Sequence, residues 1–228
     1  GEDVTAKDKQ PTKELQKMVF RHPGVWVIAI SSAFLYITKF AIDGWGVLFL
    51  QKERGLSLGD ANIVLACSTA FSIVGTILAG WLSDKVFKGS RIKPAILAGV
   101  TCATSLFFFL LVGGEFFVNI FYVSLFALSM GVLYCVVAGL MAVDIVPRKA
   151  TGAALGIVGI FSYVATGLQE ITSGYLIQYN STDVLDAAGN VIEKVYDFGP
   201  VSWFWVTASV ISFVLPVMNC KKMKQEIN

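Results

Sequence analysis

Three ionisable side chains stand inside long apolar runs of this sequence, and their chemistry sets the first expectations. The segment Phe34-Leu35-Tyr36-Ile37-Thr38-Lys39-Phe40-Ala41-Ile42-Asp43 holds two of them. Tyr36, Lys39 and Asp43 are spaced i, i+3, i+7 and so share one face of a helix. An ammonium held there can be presented to an anionic substrate, with Asp43 tuning or neutralising it. The same spacing also allows an internal Lys39–Asp43 pair that only lets two charges remain in apolar surroundings. Glu170, beside Gln169, interrupts another apolar run. It reads as a determinant of substrate specificity, as a protonation switch, or as an inward polar group satisfied by a neighbouring helix. Tyr134 and Tyr163 lie in two further runs. A buried phenol usually finds a hydrogen bond and can donate to a phosphate, although spacing alone assigns both to packing.

A second group of residues sits in the short polar connection Gly80-Trp81-Leu82-Ser83-Asp84-Lys85-Val86-Phe87-Lys88-Gly89-Ser90-Arg91. Small Gly80 permits close packing at a helix end. Asp84 can accept from the positive end of a helix, or pair with a cation such as Arg148. Lys85, Lys88 and Arg91 read as solvated cations. Nothing points to catalysis: the single His22 lies in a polar segment and no acidic cluster occurs. The four cysteines (Cys67, Cys102, Cys135, Cys220) lack metal-ligand spacing, and the first three lie in apolar runs. No enzyme, cofactor or metal site is expected.

These side chains need elements to hold them. Of 228 residues, 55% are hydrophobic and only 15% charged. A soluble domain carries about 25% charge. This composition excludes a disordered chain and a nucleic-acid binder, and it argues against an ordinary cytosolic enzyme. A bilayer core needs roughly 20 apolar residues as helix. Six runs qualify, at about 24–50, 61–82, 94–113, 118–146, 152–178 and 201–219, so an all-α polytopic membrane fold is expected. Lys39 falls about fifteen residues into the first span, or roughly 22 Å along a helix, near mid-membrane. Fourteen of the 18 Lys and Arg fall in the N-terminal segment, the second and fourth connections and the tail, against Lys52, Arg54 and Lys194 on the other side. That bias predicts both termini in the cytoplasm, which an even number of spans satisfies.

Residues 1–22 read as a cytoplasmic linker with an amphipathic stretch (Leu15, Met18, Val19), and 220–228 as a cytoplasmic tail. The opening GEDVTAKDKQ is no signal peptide, and its initial Gly suggests a piece of a longer protein. Residues 179–200 form the longest external connection and suggest a small hairpin around Ala188-Gly189-Asn190. Asn180-Ser181-Thr182 matches a glycosylation acceptor pattern, a common tripeptide read here as chance. Gly44-Trp45-Gly46 is expected to weaken the first span, with Trp45 as anchor or gate. Asp144 falls near the cytoplasmic end of the fourth span, in water. Gly152, Gly156 and Gly159, with Gly75 and Gly80, suggest close helix approach, for sliding or for static packing.

At the 80–91 connection the sequence resembles the major facilitator superfamily, and more narrowly its organophosphate:phosphate antiporters and a related hexose-phosphate sensor. GWLSDKVFKGSR is the most specific piece. The segment Tyr36-Ile37-Thr38-Lys39 and the runs Val146-Pro147-Arg148-Lys149-Ala150-Thr151-Gly152 and Gly159-Ile160-Phe161-Ser162-Tyr163 are also similar. The resemblance implies the C-terminal six-helix half of a twelve-helix transporter in the inner (plasma) membrane, from about Val25 onward. It implies exchange of an organophosphate for inorganic phosphate, with the N-terminal half and the bilayer as partners. By resemblance Lys39 takes the place of a phosphate-binding Arg, losing its bidentate fork. Tyr134 and Tyr163 match cavity-lining tyrosines. Asp43 matches the family acid only approximately, shifted by one residue. Thr69 stands where the family has a Glu, and Gln169 and Glu170 replace small residues. Gly80, Asp84, Lys85 and Arg91 match the conformational turn motif.

Overall fold

The computed structural model describes residues 12–185 and 191–225. Helix α1 runs over Thr12–Arg21, α2 over Pro23–Lys52 and α3 over Leu58–Trp81. Helix α4 covers Ile92–Phe107, α5 Phe116–Leu133, α6 Ala142–Asp144, α7 Thr151–Tyr179 and α8 Gly199–Gln225. Strands β1 (Thr182–Leu185) and β2 (Val191–Val195) pair antiparallel between α7 and α8. The hairpin expected in the long connection is therefore present, while its expected tip at 188–190 lies outside the described residues.

Six helical stretches are long and apolar enough to cross a bilayer: Pro23–Lys52, Leu58–Val86, Ile92–Val112, Phe116–Asp144, Arg148–Tyr179 and Gly199–Asn219. The chain is a multi-pass membrane protein of the all-α class, with one short hairpin between its last two spans. Local chemistry explains the ends. Pro23 opens α2, where a missing N–H costs nothing. Ser57 caps α3 by accepting from the Asp60 N–H at 3.1 Å. Gly113, with φ of 69°, ends the third span in a conformation that favours glycine. Arg54 lies against it and donates to the carbonyls of Phe109 (3.1 Å) and Leu110 (2.9 Å), covering carbonyls the helix leaves open. Burial pushes the Arg54 guanidinium down from its ordinary range, partly offset by Glu53.

Helix α2 forms the centre, packing on α7, α8 and α3, while α5 joins α3 to α4. It runs unbroken through Gly44-Trp45-Gly46, contrary to the expected weakening, because its neighbours use the bare positions. Leu65 packs at Gly46 and Glu170 at Gly44. Polar stitches hold the apolar packing in register. Ser32 and Ser162 share a 2.7 Å hydrogen bond between α2 and α7. Gln169 and Trp205 both donate to the Ser173 hydroxyl at 2.9 Å, joining α7 to α8.

The glycine expectations divide. Gly75 packs as expected: a Cβ there would sit 2.0 Å from the Leu128 carbonyl oxygen. Gly131 makes the reciprocal approach, at 2.2 Å from the Ser72 carbonyl oxygen. Gly80, Gly152, Gly156 and Gly159 have no described atom within 4 Å of the Cβ position, so they make no close approach within this unit. Spacing identifies a bare helix face but not which face a neighbour covers.

Three stretches widen to the π-helical period: Leu82–Val86, Phe108–Val112 and Tyr134–Met141. The last carries the fourth span from α5 into α6. Residues expected as linker form α1, with Val19 fully buried and Met18 39% exposed. Helix α8 extends to Gln225, past the 219 boundary read from hydropathy.

Candidate functional site: a cavity beside Lys39

Lys39 reaches its place because α2 stays helical for 30 residues, stacking Tyr36, Lys39 and Asp43 on one face. The Lys39 ammonium is paired with the Asp43 carboxylate one turn on. Side-chain exposures of 18% and 40% place both at a surface of the bundle. They border a concavity of about 440 Å³ lined by Tyr36, Lys39, Phe40, Asp43, Tyr134, Ala138, Gly139 and Tyr163. The internal pair and the accessible cation, read as alternatives from sequence, thus coexist.

Aromatic rings build the rest of the wall from three helical elements. Tyr36 meets Tyr134 edge-on at 5.1 Å and Tyr163 edge-on at 5.6 Å, and stacks on Phe40 at 5.9 Å. Such contacts fix ring directions beyond what area burial does. The Tyr134 hydroxyl is buried and has no hydrogen-bond partner among the described residues. A phenol in that state is a donor held ready for an acceptor. Tyr134 begins the widened Tyr134–Met141 segment, and Ala138 and Gly139 from the same segment line the wall. Sequence reasoning missed Phe40, Ala138 and Gly139. Phe40 follows Lys39 directly, while nothing local marks the other two.

Glu170 is placed on the neighbouring helix and is not among the residues lining this concavity. Its Oε1 lies 2.8 Å from where a Cβ of Gly44 would stand. Its backbone neighbour Gln169 turns away, donating to Ser173.

The turn motif forms a separate cluster, between the second and third spans and at the end of the fourth. Arg91 donates to Asp84 (2.8 Å), to the buried Ser83 hydroxyl (2.7 Å) and to Asp144 (3.0 Å). The partner of Asp84 is therefore Arg91 and not Arg148, because the turn folds back over eight residues. Burial lowers the proton affinity of Arg91, but the hydrogen bonds and charges of Asp144 and Asp84 outweigh it, leaving it raised. Asp144 is half-exposed, as expected near water, yet it is engaged. Arg91 thereby ties the second connection to the end of the fourth span. R91A is expected to cost about 1 kcal/mol, since the pairs are partly exposed. The thermal midpoint in detergent should fall by about 3 °C, and less in high salt. An unchanged midpoint would show that the cluster is incidental.

Among the described residues no group of His, Cys, Asp and Glu is arranged to hold a metal ion. The concavity brings together one cation, its paired carboxylate, phenolic hydroxyls and apolar walls.

Comparison with known proteins agrees in kind. The sequence pattern described as Major Facilitator Superfamily matches residues 2–170. The glycerol-3-phosphate transporter of Bacillus subtilis is 33% identical over 156 residues, covering 67% of this chain and 35% of that protein. The hexose-6-phosphate:phosphate antiporter of Escherichia coli K12 is 32% identical over 172 residues, 72% of this chain and 36% of that protein. The membrane sensor protein UhpC of the same organism is 26% identical over 220 residues, 92% of this chain and 45% of that protein. The chain thus spans less than half the length of these relatives.

Proposed function

The chain belongs to the Major Facilitator Superfamily, and from that premise we propose that it is the C-terminal half of an antiporter exchanging an organophosphate for inorganic phosphate. It is a transport protein and not an enzyme. The observation that carries the reading is Lys39, a cation well inside a span that borders a tyrosine-walled cavity. The similarity to proteins named for glycerol-3-phosphate and hexose-6-phosphate transport supports a phosphate ester as the organic substrate.

The mechanism follows from charge. A phosphomonoester carries about −1.5 to −2 at neutral pH. The Lys39 ammonium meets it as a point charge, while Tyr134 and Tyr163 supply phenolic donors. Lys39 is already paired with Asp43, so this half alone cannot balance the ligand. Further Arg or Lys from an N-terminal half would complete the site near the bilayer midplane. Binding then draws the halves together, and the loaded protein rocks between inward- and outward-open states. The empty protein crosses poorly because its cations lack their counter-charge, which makes the process an exchange. The positive-inside bias supports an orientation with the segments flanking the first and last spans on the cytoplasmic side, and the reading takes the membrane to be the inner (plasma) membrane.

A second reading, a non-transporting sensor of sugar phosphates, is favoured by the coverage of 92% of the chain by UhpC. Counterflow separates the two. Full-length protein in liposomes loaded with inorganic phosphate should accumulate labelled phosphate at least about tenfold over empty liposomes. Phosphate binding without counterflow would overturn the antiporter and leave the sensor.

A further inference from the structure

Helix α1 carries Lys13, Lys17 and Arg21 against a single acid, Glu14. Lys17 and Arg21 are exposed and one turn apart. With Glu14, Met18, His22 and Pro23 they line an open hollow of about 610 Å³, separate from the cavity beside Lys39. Arg148 and Lys149, also exposed, stand on the short turn against which α1 packs. The nearby Asp144 carboxylate is balanced by Arg91, so the patch stays cationic. The fold sets the level of α1 against the bilayer. Val19, fully buried, holds it to the bundle, and the first span begins directly after it at Pro23. The Trp26 indole N–H donates to the Phe20 carbonyl at 2.8 Å, turning the end of α1 back onto the first turn of that span. The rings of Phe20, Trp26 and Phe161 follow one another at 6.4 and 5.4 Å. Trp26 precedes Lys39 by thirteen residues, about 140° around α2, so this row turns away from the cavity. Phe20 remains 56% exposed, an apolar ring at the depth where a bilayer meets water.

We propose that α1 seats an anionic phospholipid, with Lys17 and Arg21 holding the headgroup phosphate and Phe20 and Trp26 lying beside the upper part of its acyl chains. Basic residues next to apolar rings on a helix lying at the membrane surface are the pattern that binds such a leaflet. Arg21 meets the phosphate oxygens with two N–H groups, and Lys17 meets them as a point charge. Charge complementarity selects this occupant. A zwitterionic lipid offers the same phosphate but brings its own ammonium, which the two cations repel. A soluble phosphate ester supplies the charge without the chains that would cover Phe20 and Met18. The attraction of each cation to an anionic leaflet falls off within a Debye length, so only residues at the surface, as these are, contribute. A lipid held there braces the entrance to the span that carries Lys39, whatever the cavity beyond it binds.

The test is phosphatidylglycerol binding to the detergent-solubilised full-length protein, counted by native mass spectrometry, with phosphatidylcholine as the zwitterionic reference. Wild type should bind phosphatidylglycerol the more tightly. K17Q/R21Q should weaken that binding at least about tenfold and leave phosphatidylcholine unchanged. K88Q/K93Q removes the same charge from the second connection and should stay within about twofold of wild type. All four side chains are exposed, so neither double variant disturbs packing. Equal losses in the two double variants would reduce the effect to overall surface charge and overturn the seat. Equal binding of the two lipids by wild type would do the same. Displacement of phosphatidylglycerol by soluble glycerol phosphate at matched concentration would also overturn it, because the hollow would then read a phosphate alone.

Discussion

Replacing Lys39 with Gln in the full-length protein is expected to lower phosphate exchange at least about a hundredfold. Two effects act in the same direction. The variant loses the cation this unit presents to the cavity, and it leaves Asp43 without its partner. Removing one member of a partly desolvated pair costs about 2–5 kcal/mol, much of it from the charge left behind. Each 1.4 kcal/mol is about tenfold in affinity. The double variant K39Q/D43N separates the two contributions. It should accumulate in the membrane like wild type, since no lone charge remains, and still fail to exchange. Labelled-phosphate counterflow reads both variants. Exchange by K39Q within about twofold of wild type would remove Lys39 from the site and the proposed mechanism with it.

The largest structural effect is expected at Gly75. G75L drives a side chain into the Leu128 carbonyl, which lies 2.0 Å from the Cβ position and belongs to backbone that cannot step aside. Overpacking of this kind costs about 3 kcal/mol or more. The thermal midpoint of the detergent-solubilised protein should fall by about 10 °C. G159A is the contrast. With no described atom within 4 Å, it should change stability by less than about 1 kcal/mol, because Ala is the better helix former. Equal midpoints for the two variants would mean that α3 and α5 are not in the contact described.

The residues explain what was legible in advance. The six spans were readable because membrane thickness imposes a length on apolar helix. The Lys39–Asp43 pair was readable because a helix alone brings i and i+4 together. Convergence of Tyr134 and Tyr163 on Tyr36 could not be derived from periodicity, since it depends on how separate helices pack; resemblance alone suggested it. Arg91 and Asp144 lie 53 positions apart, and local charge arithmetic does not predict such a bond. The open faces of Gly152, Gly156 and Gly159 show the same limit from the other side. The one-for-one contact of Glu170 with Gly44 was equally hidden, because a bare glycine has meaning only once its neighbour is known.

The widened Tyr134–Met141 segment makes the fourth span longer in residues than in turns. Tightening it to the ordinary helical period would displace one residue's worth of phase, about 100° of rotation and 1.5 Å of rise. Everything beyond it, including the Asp144 carboxylate that holds Arg91, would swing like the bit of a key. A change in the tyrosine wall and a change in the grip on the distant turn would then be a single movement of one rod.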